Sequence, residues 1–310
     1  MSLAPIALFV YARLTHTRLT VEALLNNPGA ELSDLIIFSD AARTPDKQTN
    51  VDEVRAYLET ITGFLSVTIN YRSNNFGLAK SIIEGVTEVL NVHESVIVLE
   101  DDLVTSPYFL SYMNEALDKY AEDERVASIH GYVYPVKQSL PEAFFLRGAD
   151  CWGWGTWKRG WMHFNPHGQH LLNELKQRKL ISAFNFNGVY SFSNMLEGQI
   201  DGFNDSWAVR WHASVFLADK LTLHPGRSLV HNIGMDDSGT HCEKTKKFDT
   251  HLSKVPINLA NIPVAHSFEV AQIFERFLRG QSRWLITYIK AFLKFLIPRS
   301  VLLWLKKIAA

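Results

Sequence analysis

Four continuous apolar runs, each followed by a segment with helical spacing of apolar residues, dominate the first 130 residues. The runs are segments 5–12 (PIALFVYA), 34–40 (DLIIFSD), 65–71 (LSVTINY) and 95–101 (SVIVLED). The segments with helical periodicity cover residues 18–27, 51–61, 79–91 and 108–120. Continuous apolar strands that alternate with helices are typical of a parallel sheet with helices on both faces. The sequence therefore predicts an α/β fold, with a single Rossmann-like domain built on a mostly parallel central sheet.

The domain is predicted to be continuous up to about residue 270. Charged residues make up 20% of the chain and apolar residues 47%, a balance that favours folding over disorder. Residues 131–270 have shorter apolar runs and a crowded aromatic segment at 151–161 (CWGWGTWKRGW), but no Pro/Ser-rich linker. We expect a first half at 1–130, a second half at 131–270 that extends the sheet and walls a cleft, and a separate tail at 271–310.

The net charge and the cysteine content indicate the compartment in which the protein works and the kinds of partner it binds. The formal net charge of -1 gives no signal for nucleic acid. Cys151 and Cys242 are too few for a disulfide framework and favour a reducing compartment. The first apolar run lacks a preceding basic region and a cleavage site, so it is interpreted as a buried strand rather than a signal peptide. These features predict a cytoplasmic protein with no nucleic-acid partner.

Charged side chains follow the apolar runs, at the point where each predicted strand ends. They are Arg13, Asp40, Arg72 and the run Glu100-Asp101-Asp102. In open α/β sheets, ligands bind beyond the carboxyl ends of the strands, so these side chains are expected at one ligand-binding edge. The chain has no GxGxxG after the first run and no GxxxxGK[ST], which argues against a usual dinucleotide site and a P-loop.

Three consecutive carboxylates at Glu100, Asp101 and Asp102 are the strongest local signal. Holding three acids together is unfavourable unless cations neutralise them. Mg²⁺ or Mn²⁺ together with a diphosphate neutralises such a group, because the metal bridges carboxylate and phosphate oxygens. The alternative is a solvated acidic turn before a helix, whose N-terminus favours acids.

Several segments, in the same order, resemble glycosyltransferases with the A-type fold. The stretch VIVLEDDLVTSPYFL resembles the Asp-x-Asp-type motif, in the Glu-Asp-Asp-Leu version of N-acetylglucosaminyltransferase I and related bacterial sugar transferases. FVYAR and IFSD are similar to the first two strand ends of that family, and FFLRGADCWGWGTW is similar to its acceptor-side segment. GFNDSWAVR resembles the stretch with the catalytic base, and SLVHNIGMDDSGTH resembles the loop that closes over the diphosphate. The resemblance spans residues 5–245 and makes 1–130 the nucleotide-binding half and 131–270 the acceptor half.

The resemblance implies roles for the acids and cations at the predicted sheet edge. Asp102 would bind the metal, Mn²⁺ or Mg²⁺. The residues implied to bind the nucleotide or donor sugar are Arg13, Asp40, Arg72, Glu100, Asp101 and His241. UDP is the preferred nucleotide, because Asp40 matches an aspartate that pairs with uracil; GDP and dTDP stay open. For Arg72 the alternative is a surface salt bridge, and for His231 and His241 it is solvation in a polar loop.

The acceptor half carries the other predicted site residues. An inverting transferase needs a carboxylate that takes the proton of the acceptor hydroxyl, and Asp205 matches the family's base. The alternative for Asp205 is an N-cap of the helix that starts near Trp207. Asp150, Trp152 and Trp154 are predicted to face the acceptor, with core packing as the alternative for the tryptophans.

The tail from residue 271 onward predicts attachment to a membrane surface. Between Gln281 and Ile297, Arg283, Thr287, Lys290 and Lys294 form one stripe of a helix that is otherwise rich in Trp, Phe and Leu. A basic amphipathic helix of this kind is typical of an interfacial anchor. The alternative is a helix packed on the domain or in a dimer interface.

The sequence thus predicts a metal-dependent inverting glycosyltransferase, peripheral on the inner face of the membrane. It would move a hexose or N-acetylhexosamine from a nucleotide sugar to a glycan or a lipid-linked saccharide in surface polysaccharide synthesis. The alternatives are a sugar nucleotidyltransferase, which would need a glycine-rich, lysine-bearing loop after the first strand, and a non-catalytic membrane-associated glycan-binding protein. A retaining mechanism also stays open.

Overall fold

The structure, a computed structural model, describes residues 3–236 and 245–281. Its strands are β1 (Ile6–Val10), β2 (Asp34–Ser39), β3 (Ser66–Tyr71), β4 (Ser95–Glu100), β5 (Leu103–Thr105), β6 (Val126–His130), β7 (Ala143–Arg147), β8 (Trp154–Trp157), β9 (Leu221–Pro225) and β10 (Val230–Asn232). Its helices are α1 (Leu14–Leu25), α2 (Gln48–Leu58), α3 (Gly77–Val92), α4 (Phe109–Lys119), α5 (Lys158–Trp161), α6 (Gly168–Gln177), α7 (Ile181–Phe184), α8 (Phe192–Ile200), α9 (Trp207–Leu217) and α10 (Phe268–Gln281). The four predicted strands and four predicted helices of the first 130 residues all form, within a few residues of their expected bounds.

Eight strands make one central sheet in the order β3-β2-β1-β4-β8-β6-β9-β7. The strands β1 to β4 pair in parallel, and β8 pairs antiparallel to both β4 and β6. Because β9 is parallel to β6 and antiparallel to β7, six strands run in one direction and only β8 and β7 run in the other. The predicted α/β fold with a mostly parallel central sheet is confirmed and is consistent with an A-type glycosyltransferase domain.

Helices cover both faces of the sheet. Successive residues of a strand point to opposite faces, so a buried strand packs against helices on both sides. In β1, Ile6, Leu8 and Val10 pack with α1, α2 and α4, whereas Ala7 and Phe9 pack with α3 and α9 on the other face. A strand that is buried on both faces must be apolar at every position. This is why β1 and β4 appear in the sequence as continuous apolar runs.

The last described helix, α10, belongs to the domain. Its residues Val270, Phe274 and neighbours are buried against Phe144 and Leu146 of β7. The expected boundary between residues 270 and 271 therefore falls inside a helix whose apolar face is part of the core. Residues 282–310, with the predicted basic stripe, lie outside the described residues.

The strand order reverses between β1 and β4, and a ligand is expected to bind at this reversal. The chain fills the sheet from β1 outward to β3 and then returns to place β4 on the other side of β1. In doubly wound sheets a ligand crevice opens at such a reversal, beyond the carboxyl ends of the two strands. Arg13 follows β1 there, and Asp101 and Asp102 follow β4. A small second sheet, in which β10 pairs antiparallel to β5, borders the same edge.

Gly226 lies directly after β9, and its backbone packs closely against the segment that precedes β7. A Cβ at this position would lie 1.8 Å from the carbonyl oxygen of Pro141, a backbone atom that cannot rotate away. We expect Gly226→Ala to lower the free energy of unfolding by roughly 2–3 kcal/mol, measured by urea denaturation. Gly280→Ala is the control, because a Cβ there meets nothing within 4 Å and alanine favours the helix. Equal stability of the two variants would contradict the expectation.

Candidate functional site at the carboxyl edge of the sheet

An ion-paired cluster lies at the reversal between β1 and β4. Arg13 is the N-cap residue of α1, and Asp101 and Asp102 form the turn between β4 and β5. Nη2 of Arg13 donates to Oδ1 of Asp101 and, at 2.7 Å, to Oδ2 of Asp102. Asp101 and Asp102 are only 4% and 9% exposed, so the turn is not a solvated acidic loop. Three charged side chains that are 88 and 89 positions apart in sequence thus share one small volume.

The acids of this cluster are not fully neutralised by Arg13. The pKa of Glu100 is raised to about 8, first by burial and then by the negative charges of Asp102 and Asp101. The pKa of Asp101 is raised to about 6 by burial, which outweighs the opposing charge of Arg13. Burial lowers the pKa of Arg13, but the charges of the two aspartates outweigh it and the net pKa is raised. Such shifts indicate excess negative charge in a poorly solvated place.

The segment 230–236 covers the cluster from the side of the small sheet. The backbone N–H of Ile233 donates to the carbonyl oxygen of Asp102 at 2.9 Å. Gly234 comes so close that a Cβ on it would lie 2.0 Å from Oδ2 of Asp102. Glycine is therefore the residue that fits over this carboxylate. His231, in β10, accepts a long hydrogen bond of 3.5 Å at Nδ1 from the backbone of Thr250.

The oxygens of the cluster fit a divalent ion shared with a diphosphate. Oδ2 of Asp101 is buried and has no hydrogen-bond partner in the described part of the chain. Within residues 3–236 and 245–281, no group of three or more His, Cys, Asp or Glu side chains is arranged to hold a metal alone. Mg²⁺ is commonly held by one or two carboxylates together with substrate phosphates, and Asp101 and Asp102 offer that donor set.

Asp40 organises the loop at the start of α3. Its carboxylate accepts hydrogen bonds from the backbone of Phe76 at 2.8 Å and of Gly77 at 2.9 Å. It also accepts from the side chain of Asn75 at 3.0 Å and from the backbone of Ala41 at 2.9 Å. An acid that binds free N–H groups at a helix N-terminus is well stabilised. Contact of Asp40 with a nucleotide base stays a prediction, beside this observed structural role.

Arg72 lies against α3 and pairs with an acid of that helix. Its Nη2 lies 2.9 Å from Oε1 of Glu88, and its guanidinium lies over the rings of Phe76 and Phe38. This is the salt-bridge alternative considered for Arg72 from the sequence. No contact joins Arg72 to the acids after β4 among the described residues, and its nucleotide contact stays a prediction.

The segment before β8, in residues 131–270, lies near the acidic triplet. The Asp150 side chain is 36% exposed and lines a small cavity together with Tyr134, His212 and His224, and burial raises its pKa. Burial also raises the pKa of Cys151, and negative charges on Asp150, Glu100 and Asp102 raise it further. Cys151 therefore lies within electrostatic reach of both Asp150 and the acidic triplet. Trp152, next to it, is partly exposed and packs edge-on against Tyr132.

The prediction that Trp154 faces the acceptor is wrong. Trp154 is 1% exposed and packs among the rings of Trp161, Trp207 and Trp211 in the core under α9. Its position explains the burial, because it begins β8 and pairs with Val98 of β4 in the middle of the sheet. An indole without an exposed face cannot stack on a sugar.

Three buried histidines, which the sequence analysis missed, brace the backbone of this segment. Trp152 donates its backbone N–H to Nε2 of His130 at 3.1 Å, and Nδ1 of His130 lies 3.2 Å from Nδ1 of His224. Nδ1 of His212 lies 2.8 Å from the carbonyl oxygen of Ala149. Each histidine stands alone in a mostly apolar segment, so the sequence carries no signal that the three share one purpose.

The His130–His224 pair predicts acid sensitivity of the fold. Burial lowers both pKa values from 6.5 to about 3. Below pH 6.5 the unfolded chain binds protons that the folded state refuses, so stability falls as pH drops from 6.5 toward 3, by at most about 1.4 kcal/mol per pH unit for each histidine. His224→Gln is expected to flatten the dependence of unfolding free energy on pH between 4.5 and 6. The exposed His251→Gln is the control, and a slope unchanged in both variants would contradict the expectation.

Asp205 lies on the surface, just before α9. Its carboxylate is 66% exposed and pairs with Arg210 at 3.2 Å. The N-cap alternative is not observed, because Ser206 is the N-cap and its Oγ accepts from the backbone of Val209 at 3.2 Å. Because α9 ends shortly before β9 begins, its C-terminus lies at the amino edge of the sheet. Its N-terminus, with Asp205, therefore points toward the carboxyl edge.

Two predicted features lie outside the described residues. These are His241 and the basic stripe after Gln281. Among the helices that the structure does describe, none has both the length and the apolar character that a membrane span requires.

Comparisons with known proteins give limited similarity. No family model and no curated protein sequence matches the chain. Among solved structures it is similar to a mannosyltransferase, PcManGT from Pyrobaculum calidifontis in complex with GDP-Man and Mn²⁺, with 16% identity over 43% of this chain and 36% of that chain and a TM-score of 0.31. It is also similar to S. aureus TarS 1–349, with 9% identity over 56% of this chain and 49% of that chain and a TM-score of 0.33.

A second structure of S. aureus TarS gives 13% identity over 47% of this chain and 24% of that chain, with a TM-score of 0.31. The matched portions thus span about a quarter to a half of those proteins, at 36%, 49% and 24% of their lengths. Because the matches are partial and superpose loosely, the function is inferred from the residues of the site.

Proposed function

We propose that the protein is a metal-dependent glycosyltransferase of the A-type fold that transfers a sugar from a nucleotide donor, with UDP preferred. The observation that carries this proposal is the buried Arg13–Asp101–Asp102 cluster at the strand-order reversal. Two acids and one cation at the carboxyl edge of such a sheet suit a nucleoside diphosphate and its metal. A solvated acidic turn would be exposed, whereas Asp101 and Asp102 are buried. A purely structural ion pair would need only one acid, whereas Arg13 contacts two, and Oδ2 of Asp101 has no hydrogen-bond partner among the described residues.

The donor half is proposed to hold the nucleotide sugar through its strand-end residues. Asp102 would hold the metal, and Asp101 and Glu100 would contact the ribose, uridine or donor sugar. Arg13 offers a planar fork of N–H donors that suits phosphate oxygens. A bound divalent ion would supply the positive charge that stabilises the departing diphosphate. Asp40, Arg72 and His241 are proposed as the remaining donor contacts, with Asp40 also fixing the loop at 75–77.

The acceptor half is proposed to deliver a hydroxyl group to the donor from the opposite wall of the crevice. Asp150 is suited to accept a hydrogen bond from an acceptor hydroxyl, and Trp152 has a partly exposed face for a sugar ring. Asp205 is proposed as the general base that takes the proton of the attacking hydroxyl. Its support is the topology of α9, which directs Asp205 toward the edge that carries Asp102. A single base of this kind implies inversion at the anomeric carbon.

The acceptor is proposed to be a glycan or a lipid-linked saccharide, and the setting the inner surface of a membrane. The support is the basic amphipathic pattern after Gln281, which favours an interfacial helix. Sugar transfer to a lipid-linked acceptor in surface polysaccharide synthesis would place the enzyme at that surface. Residues 271–281 pack on the domain, so an anchor would begin after them.

Two other functions are less well supported. A sugar nucleotidyltransferase would need a glycine-rich, lysine-bearing loop after β1, where this chain has YARLTHTR. A non-catalytic glycan-binding protein would not need its charged cluster at the strand-order reversal, where doubly wound sheets bind nucleotides.

The test is nucleotide binding by calorimetry on the full chain, with UDP, GDP and dTDP, each in Mn²⁺ and in EDTA. We expect UDP to bind at least tenfold more tightly in Mn²⁺ than in EDTA. Binding of GDP or dTDP instead of UDP would support a transferase. It would contradict the preference for UDP and the proposed contact of Asp40 with the nucleotide base. Absence of nucleotide binding in both conditions would overturn the enzyme proposal. A panel of UDP-hexoses and UDP-N-acetylhexosamines, followed by release of UDP, would then identify the sugar.

A further inference from the structure

The Arg13 guanidinium already binds one carboxylate oxygen of each aspartate that would hold the proposed metal. The side chains of Arg13, Asp101 and Asp102 are 20%, 6% and 13% exposed, so the contact is largely shielded from solvent. One nitrogen, Nη2, bridges both aspartates, at 2.7 Å from Oδ2 of Asp102. Arg13 thus acts here as the counter-ion of the two acids.

The backbone of Gly234 packs closely against Oδ2 of Asp102, which Arg13 also contacts. The position of a Cβ on Gly234 falls 2.0 Å from Oδ2 of Asp102 and 3.1 Å from Nη1 of Arg13. Two contacts hold residues 233–236 in place. Ile233 donates its backbone N–H to the Asp102 carbonyl, and Nε2 of His16 lies 3.2 Å from the carboxylate of Asp236. Oδ2 of Asp102 is therefore enclosed between a guanidinium and a glycine backbone.

The charge around this contact is unbalanced in a way that a divalent cation would correct. Glu100, Asp101 and Asp102 offer three carboxyl groups to one guanidinium, and Oδ2 of Asp101 is left buried without a partner in residues 3–236 and 245–281. One cation of charge +1 leaves the cluster two positive charges short when all three acids are ionised. A cation of charge +2 would reduce this shortfall more than a single guanidinium does, and it prefers the same carboxylate oxygens.

We propose that Arg13 is a displaceable internal counter-ion, which holds Asp101 and Asp102 together in the metal-free protein and leaves Asp102 when metal and nucleoside diphosphate enter. A guanidinium and a metal ion cannot make the same contact with Oδ2 of Asp102, so the two compete. The phosphates that arrive with the metal give the released guanidinium a new anionic partner at the same edge. Metal without nucleotide has to displace Arg13 uncompensated and therefore binds weakly. This inference rests on the proposed function and adds to it an order, in which nucleotide promotes metal binding through Arg13.

The experiment is titration of the full chain with Mn²⁺, followed by the electron paramagnetic resonance signal of free Mn²⁺, with and without UDP. Wild type is compared with Arg13→Gln and with Arg18→Gln, a control one turn further along α1 whose guanidinium lies over the ring of Tyr57. We expect Arg13→Gln to bind Mn²⁺ alone at least tenfold more tightly than wild type, and Arg18→Gln to match wild type. The thermal unfolding midpoint of Arg13→Gln in EDTA should fall below that of wild type and recover in Mn²⁺.

The outcomes separate this inference from the proposed function. In one outcome, wild type binds Mn²⁺ in the presence of UDP while Arg13→Gln binds Mn²⁺ alone no more tightly than wild type does. This result would overturn the proposed competition between Arg13 and the metal, and it would leave the proposed transferase function standing. Wild type that binds no Mn²⁺ even with UDP would overturn both. Should Arg13→Gln fail to fold, Arg13→Lys replaces it, because a single ammonium is less able to bridge both acids. It is expected to gain about threefold in affinity for Mn²⁺ alone, and no gain would count against the proposal.

Discussion

Asp102→Asn is expected to reduce sugar transfer by roughly two to three orders of magnitude, with the loss concentrated in the turnover number. The amide keeps the shape of the carboxylate but removes the charge that would hold the metal against the departing diphosphate. In the same variant, Mn²⁺ should no longer strengthen UDP binding. Release of UDP from a nucleotide sugar in saturating Mn²⁺ measures the first effect, and calorimetry in Mn²⁺ and EDTA measures the second.

The matched control for this prediction is Asp46→Asn, which removes an exposed carboxylate from the same half of the chain. It should leave transfer and nucleotide binding unchanged. Because Asp102 lies among other acids, its neutralisation is not expected to unfold the protein, and circular dichroism would check this. A folded Asp102→Asn variant with near wild-type, Mn²⁺-dependent transfer would remove Asp102 from the site.

Residues near the ends of β1 and β4 could be placed from the sequence because two local rules suffice. Continuous apolar runs identified the strands, and their alternation with helices fixed a parallel sheet, so Arg13 and Asp102 had to emerge at one edge. The structure brings these side chains to 2.7 Å. No sequence rule gave the direct bridge between them, because it depends on how far α1 and the β4–β5 turn approach each other.

The structure of residues 131–270 was harder to predict, because its strands pair with segments that are distant in sequence. The strand β8 is inserted antiparallel between β4 and β6, although more than 50 residues separate it from β4. That insertion buries Trp154, whose sequence neighbourhood looked like an exposed aromatic wall. The same packing gathers His130, His212 and His224 from three distant segments behind Asp150 and Trp152. Periodicity within a segment cannot show which distant segment will cover it.

Asp40 shows a different limit of sequence reasoning. Its place after β2 was predicted, but its four hydrogen bonds to residues 41 and 75–77 were not. A carboxylate at a strand end can bind a ligand or bind the N-terminus of the next helix, and both needs select an acid. Only the position of the loop before α3 shows how much of the carboxylate is already used.

Asp205→Asn is the second variant with a large expected effect. Loss of a general base typically slows the chemical step by roughly two to four orders of magnitude. Because the carboxylate of Asp205 pairs with Arg210 and not with the Arg13–Asp101–Asp102 cluster, UDP affinity in Mn²⁺ should stay within about twofold of wild type, and only transfer to the acceptor should fall. Transfer is measured with saturating donor and acceptor, so that the loss appears in turnover rather than in substrate affinity.

Two neighbours of Asp205 provide the controls. Ser206→Ala removes the N-cap of α9 and should cost about 1 kcal/mol of stability, with transfer by the folded protein retained. Asp201→Asn removes an exposed acid from the same loop and should have no effect on either. If Asp205→Asn transfers sugar as fast as these two variants, the proton acceptor must be sought elsewhere. Asp150 then becomes the next carboxylate to test, because its neighbour Cys151 lies within electrostatic reach of the acidic triplet. If Asp205→Asn alone loses transfer while donor binding persists, the two walls of the crevice have separate tasks.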